Sequence, residues 1–271
     1  MALHKPNSAL LILAHGSTQN KDSSRPSWLL ADAIAKKGQF GSVFCAFWKE
    51  DPGFRQVLTM IEQKDIYIVP NFISEGYFTR EIIPRELELE SPTTVRNGKT
   101  LHYCDPVGLH PAMTRLLIQN ASKVTGGSIP NSEISLIIVG HGTPMNKQST
   151  QAIKAQVDMI RESDAGFAEV KDAYMEETPF ISDWQTLTKS ENVVVVPFFI
   201  ADGLHSQEDI PVLLGIDRQN PATDHSSEPE GVKCHRIDSR SLYYSSAIGS
   251  DPAMEEVIVE QVEKFDERYS G

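Results

Sequence analysis

The chain has 271 residues and a formal net charge of −12, a balance that argues against a nucleic-acid partner, whose phosphates would be repelled. Forty per cent of the residues are hydrophobic, enough for one large domain or two of roughly 130 residues each. No apolar run approaches the ~18–20 residues needed to cross a bilayer, so no membrane partner is expected. The three cysteines, Cys45, Cys104 and Cys234, are odd in number and scattered without a C-x-x-C pair. A reducing, cytoplasmic setting is therefore expected rather than a disulfide framework. The opening MALHKPNSALLILAHGS has an apolar stretch that runs into His-Gly instead of a cleavage site, and it reads as the first strand, not a signal peptide.

In chain order, residues 8–14 form a strand. A helix follows over 22–37, with Pro26 in its first turn and Gly38 at its stop. A second strand covers 43–47 and a second helix 53–63, after Pro52. The apolar IYIVP at 66–70 is a third strand, leading into a glycine-containing loop over 71–77. A helix is expected over 80–90, a short strand over 101–104 and a closing helix over 111–123. Strands alternating with helices at this spacing imply βαβ units around a mainly parallel sheet.

The stretch TGGSIPNS at 125–132 is the best linker, and beyond it the pattern starts again. ALLILAHGSTQ at 9–19 returns as ISLIIVGHGTPM at 134–145, so that His15 corresponds to His141. Ala46-Phe47, Pro52, Pro70, Gly76 and Pro84 match Ala173-Tyr174, Pro179, Pro197, Gly203 and Pro211 at one constant offset. Leu101-His102-Tyr103, Gly108 and Pro111-Ala112-Met113 match Leu242-Tyr243-Tyr244, Gly249 and Pro252-Ala253-Met254 at a second, longer one. The difference is an insertion of about 14 residues within 216–240, whose Pro, Ser and Asp content marks a surface loop. The chain is a tandem duplication of one α/β unit, with repeats expected at 1–126 and 131–271.

Chemistry concentrates in the second repeat. His141 follows one apolar strand, and NVVVVPFFI at 192–200 runs into ADGLHSQEDIP, which carries His205, Glu208 and Asp209. Ligands of open α/β sheets bind beyond the carboxyl ends of the strands, and both histidines leave that edge from glycine-containing loops. Two imidazoles there can bind a divalent transition metal or share a proton. Glu176, after the strand over 170–174, can add a carboxylate, making an open His/His/Glu site with room for water or substrate. In the first repeat His15 survives, but Phe78 stands in place of His205 and Lys49 in place of Glu176. One metal site is therefore expected, in the second repeat. Glu208 and Asp209 can extend the site, but such acidic pairs more often form the solvated start of a helix, here the first turn of 209–215. His225, Cys234 and His235 in the insertion are metal-binding residue types, but their spacing fits no compact ligand motif.

The order GHGT…AYMEE-T-P…VVVVPFFIADGLHSQEDIP…AIGSDPAM resembles the CbiX-type sirohydrochlorin chelatases, of the class II chelatase group, over nearly the whole chain as two fused repeats. The G-x-H-x-x-x-D-I-P stretch, Gly203 to Pro211, is the most specific part. The resemblance implies two tandem chelatase-like (flavodoxin-like) α/β domains, each a mainly parallel sheet with helices on both faces, and a cleft between them. It implies a metal chelatase, a lyase that inserts a divalent metal into sirohydrochlorin without a nucleotide, in cobalamin or sirohaem biosynthesis. The metal is a substrate, with Co²⁺ ranked first, then Fe²⁺ or Ni²⁺. By the same resemblance His141, His205 and Glu176 are both metal-binding and catalytic residues. The first repeat departs from the pattern, its G-x-H being Gly76-Tyr77-Phe78, and it is expected to serve as a wall of the cleft.

Metallation releases two pyrrole N–H protons, so a base is needed beside the metal, a role that suits a histidine. The substrate's carboxylates call for basic partners, for which Arg25, Arg80, Arg85, Arg115 and Lys147 are candidates. Two competitors remain: a tetrapyrrole or metal carrier derived from a chelatase, and a phosphoryl-transfer enzyme. The latter ranks last, because Ala14 and Gly140 precede the two His-Gly histidines where a basic residue is wanted, and no G-x-x-x-x-G-K-[ST] loop is present. A monomer or a homodimer is expected, the duplication standing in for a symmetric pair of single repeats.

Overall fold

The computed structural model describes residues 3–18, 23–143, 147–216 and 233–269. The first repeat contains β1 (Lys5–Ala14), α1 (Arg25–Lys36), β2 (Phe40–Phe47), α2 (Phe54–Met60), β3 (Asp65–Pro70), α3 (Ile83–Leu87), β4 (Thr93–Arg96), β5 (Lys99–Tyr103) and α4 (Ala112–Val124). The second contains β6 (Ile134–Gly140), α5 (Lys147–Glu162), β7 (Glu169–Tyr174), α6 (Trp184–Leu187), β8 (Asn192–Pro197), α7 (Ile210–Leu213), β9 (Cys234–Ile237), β10 (Arg240–Tyr244) and α8 (Met254–Tyr269). Each repeat builds a five-stranded sheet, in the orders β2-β1-β3-β5-β4 and β7-β6-β8-β10-β9. All neighbours are parallel except the last strand of each sheet, which is antiparallel.

The continuous apolar runs of β1 and β6 are explained by burial on both faces, as parallel strands require. Side chains alternate across the sheet. Leu11 and Leu13 of β1 join Phe54, Val57 and Leu87 from α2 and α3 in one cluster. Ile137 and Val139 of β6 join Trp184 and Ile210 from α6 and α7 in its counterpart. The helix expected over 80–90 is shorter and begins differently: a π-helical turn at Phe78–Ile82 precedes α3, and its duplicate at His205–Asp209 precedes α7. The antiparallel hairpin of β4 and β5 was also absent from the expected elements. Its signal is Asn97-Gly98, both with positive φ (50° and 73°), the dipeptide that a tight two-residue turn demands.

The compact units do not follow the repeat boundaries 1–126 and 131–271. One unit comprises residues 1–110 with 252–271, and the other 111–251. The helix expected to close the first repeat, α4, thus belongs to the second unit, and α8 to the first. Side-chain partners match this assignment. Asp266 of α8 pairs with Lys5 (2.7 Å) and accepts from the Tyr67 hydroxyl (2.7 Å), while Glu255 pairs with Lys37 (2.7 Å). Burial and Asp266 together push the Tyr67 phenol well up, so it remains a hydrogen-bond donor. The equivalent positions are Thr125, just past the end of α4, and Thr114 within it, which carry no charge. Thr114 instead donates to Gln156 (2.7 Å) and Lys123 pairs with Asp251 (2.6 Å), both within the second unit. Residue 22 of the expected first helix, residues 144–146, His225 and residues 217–232 of the insertion lie outside the described residues. Cys234 and His235 of the expected surface loop belong instead to β9, the duplicate of β4.

Candidate metal centre

In the second sheet β6 lies between β7 and β8, so the loops leaving their carboxyl ends are neighbours. Gly140 closes β6 and His141 is the first residue beyond it. The chain then turns at Gly142, whose φ of +66° suits glycine; a Cβ there would come within 2.5 Å of the Tyr174 Cβ. That absence of a side chain lets the histidine loop lie against the end of β7. The His141 carbonyl accepts the backbone N–H groups of Met175 (3.0 Å) and Glu176 (3.1 Å). Glu176 is thereby tied through its own backbone to the histidine beside which its carboxylate stands.

His205 is held by a different device. It is the first residue of the π-helical turn after β8, an irregularity often found at functional sites. The Ser206 hydroxyl accepts the Gly203 N–H (3.0 Å), and the Ser206 carbonyl accepts the Tyr244 hydroxyl (2.6 Å). Burial, the largest cause, and the nearby Asp202 push the Tyr244 phenol well up, which keeps it protonated as a donor. Gly249 approaches from β10's side so closely that a Cβ would sit 2.0 Å from the Ile200 carbonyl oxygen. Its N–H donates to the Phe199 carbonyl (2.9 Å).

These supports bring the imidazoles of His141 and His205 edge to face, with centroids 4.8 Å apart and planes at 78°. His141 Nε2 lies 3.6 Å from Glu176 Oε1. His141 Nδ1 faces the Gly142 carbonyl at 3.2 Å and His205 Nδ1 faces Asp209 Oδ2 at 2.8 Å. A carbonyl and a carboxylate can only accept, so these two contacts favour the neutral tautomer that carries its proton on Nδ1 and its lone pair on Nε2. A histidine whose Nδ1–H is held by an oxygen while Nε2 stays open is the usual state of a metal ligand. Among the described residues, no group of three His, Cys, Asp or Glu side chains encloses a metal-sized point. The set is open, with His141 in contact with both of the others. All three are partly exposed: the side-chain accessibility of His141 is 35% and that of Glu176 is 56%.

Asp209 is the residue whose partner sequence reasoning did not name. It reads as a solvated helix start, yet its carboxylate is the hydrogen-bond partner of His205. The available signal was its spacing, four residues on within a helical turn, which puts two side chains on one face. Of the basic candidates for substrate carboxylates, Arg80 pairs with Glu75 and Arg85 with Glu86 (3.1 Å). Arg25 and Lys147 stand exposed at the first turns of α1 and α5.

The first sheet carries the same scaffold. His15 follows β1, its Nδ1 faces the Gly16 carbonyl at 2.8 Å, and Gly16 has a φ of +67°. The His15 carbonyl accepts the Lys49 N–H (2.9 Å), and the Tyr103 hydroxyl donates to the Thr79 carbonyl (2.7 Å). Phe78 takes the place of the second imidazole, 4.9 Å from His15 at 80°. It is packed by Phe72 and Trp48.

The amino-acid sequence matches the CbiX family twice, over residues 9–124 and again over 135–265. The chain belongs to the CbiX family. A relative from Halobacterium salinarum, described as a probable sirohydrochlorin cobaltochelatase, is 39% identical over 270 residues, covering 93% of this chain and 90% of that protein. Among solved structures, a multi-domain protein of Deinococcus radiodurans with structural similarity to chelatases superposes with a TM-score of 0.76 at 25% identity. That match covers 94% of this CbiX chain and 54% of the Deinococcus protein, so the chain spans about half its length. SirB from Bacillus subtilis, solved with Fe³⁺, gives a TM-score of 0.72 at 15% identity, covering 96% of this chain and 97% of SirB. At that identity the likeness speaks for the fold. The two-sheet CbiX architecture thus agrees with the fold expected from the sequence.

Proposed function

We propose that this protein is a sirohydrochlorin chelatase, inserting a divalent metal ion into the tetrapyrrole, and that His141, His205 and Glu176 of the second repeat handle the ion. The family and the Halobacterium relative support the activity. The observation that carries the assignment of residues is the edge-to-face pair of imidazoles with both Nδ1 positions engaged and Glu176 beside His141.

The reaction exchanges M²⁺ for two pyrrole protons, so the site must hold a cation, surrender it and accept protons. Two imidazoles able to present Nε2 lone pairs, with one carboxylate, suit first-row divalent ions. An open, partly exposed set leaves coordination positions for water and then for ring nitrogens, unlike the closed shell of a structural site. As a ring nitrogen displaces His141 from the ion, the released Nε2 lone pair becomes the base that takes one pyrrole proton, and solvent takes the other. Glu176, 3.6 Å from that nitrogen, stabilises the resulting imidazolium. Co²⁺ is the proposed ion, by analogy with the Halobacterium relative's name, with Fe²⁺ and Ni²⁺ following. No nucleotide has a role in this scheme.

The test is an anaerobic absorbance assay with sirohydrochlorin and Co²⁺ or Fe²⁺, comparing the wild-type protein with His205→Ala. Multiple turnovers by the wild type, lost in the variant, are expected. Stoichiometric binding without turnover would overturn the enzymatic reading in favour of a carrier, and turnover that survives the substitution would remove His205 from the site.

A further inference from the structure

We propose that Asp209 is a positioning residue that fixes His205 as an Nε2 donor, and that His205 and Asp209 act as one unit. The inference rests on the chelatase reading above. Four observations carry it. First, His205 Nδ1 and Asp209 Oδ2 are 2.8 Å apart, within range of a charge-assisted hydrogen bond. Second, both residues lie on the same π-helical turn, so backbone geometry rather than chance contact sets their separation. Third, both side chains are partly exposed, at 47% and 41%. An exposed pair of this kind contributes little to folding, so a purely structural purpose does not account for it.

The fourth observation comes from the duplication. Phe78 occupies the position of His205 and Ile82 the position of Asp209, on the matching π-helical turn. Imidazole and carboxylate are absent together, and Ile82 is instead buried in the core at 4% exposure. His15, by contrast, keeps both its ring and its Nδ1 contact to the following carbonyl. The first histidine needs only the backbone to orient it. The second, on an exposed turn, has Asp209 for that task. Without an acceptor at Nδ1, the His205 proton would divide between the two nitrogens and the Nε2 lone pair would be presented only part of the time.

Steady-state turnover of sirohydrochlorin with Co²⁺ should be measured for wild type, His205→Ala, Asp209→Ala and Asp209→Asn. Nitrogen-15 spectra of the imidazoles, recorded on the metal-free protein, would report the His205 tautomer. Loss of such outer partners typically costs about 10–100-fold in metal affinity. We expect Asp209→Ala to raise KM for Co²⁺ by that factor, leave KM for sirohydrochlorin unchanged and shift His205 towards the Nε2–H form. Asp209→Asn, which keeps a neutral acceptor, should recover much of the loss. If Asp209→Ala matches wild type in KM for Co²⁺ and in tautomer while His205→Ala abolishes turnover, the proposal is wrong and the chelatase reading stands. An equal rise in both KM values with a lower melting temperature would also overturn it, as a general structural effect. Full turnover by His205→Ala would instead bring down the assignment of His205 on which the proposal rests.

Discussion

His15 and Phe78 in the first unit stand 4.9 Å apart at 80°, and His141 and His205 in the second stand 4.8 Å apart at 78°. The loops beneath them are held by the same contacts: a left-handed glycine after each first histidine, a backbone N–H donated to the histidine carbonyl, and a tyrosine hydroxyl on the π-helical turn. The chemistry, however, differs at every position but the first histidine. Imidazole, glutamate and aspartate on one edge are phenylalanine, lysine and isoleucine on the other. The scaffold therefore depends on glycines, tyrosines and main-chain hydrogen bonds, and it persists when the side chains it presents are replaced. Phe78 shows why the replacement is tolerated. Packed by Phe72 and Trp48, it turns a polar site into a small apolar cluster that needs no ion.

The largest effect that would break this comparison is on turnover. Substitution of His141 or His205 by alanine should lower it by more than about 100-fold, while Phe78→Ala leaves the metal dependence of turnover intact; equal losses in both units would mean that the edges share the chemistry. Glu176→Lys copies the first unit's charge into the second. Repulsion of the ion should weaken Co²⁺ binding about 10–100-fold, and Glu176→Gln should cost less, as titration calorimetry would measure. The reverse experiment sharpens the comparison further. The double substitution Lys49→Glu with Phe78→His should add a second, weaker Co²⁺ equivalent per chain, and a stoichiometry unchanged from wild type would show that the first scaffold cannot be reloaded.

Smaller effects concern the scaffold itself. Gly142→Ala places a Cβ within 2.5 Å of Tyr174, whereas at Gly16 the nearest atoms are 3.0 Å away. Both substitutions also force a side chain into positive φ, at about 1–3 kcal/mol each. Thermal melting should show the larger drop for Gly142→Ala. Smallest of all, Tyr103→Phe and Tyr244→Phe each remove one hydrogen bond to a π-turn carbonyl, about 1 kcal/mol of stability. Only Tyr244→Phe should also raise KM for the metal, because only that turn carries His205.

Much of this was legible in the sequence because the duplication writes it twice. The matching of His15 with His141 and of Gly76 with Gly203 disclosed the repeats, the parallel sheets and the edge from which both histidines leave. The departure of the first repeat from the second was legible too, since Lys49 and Phe78 fall at matched positions. The Asn97-Gly98 turn that makes β4 and β5 a hairpin was present but unread, and the His205–Asp209 spacing was singled out within G-x-H-x-x-x-D-I-P without the hydrogen bond it sets up.

The sequence by itself determined the strands, their alternation with helices and the identity of the groups at each strand end, because these follow from local periodicity and from the repeat. Only the tertiary structure decided which helix completes which sheet. Both α4 and α8 are amphipathic helices at equivalent places in their repeats, so local periodicity alone does not assign either to a sheet. The choice rests on contacts far apart in the chain, with Asp266 meeting Lys5 and Tyr67 in one unit and Thr114 meeting Gln156 in the other. The meeting of the two imidazoles was likewise decided in three dimensions. Each Nδ1 contact is local, one residue on at Gly142 and four residues on at Asp209, but the rings come within 4.8 Å of each other only because β6 and β8 lie side by side.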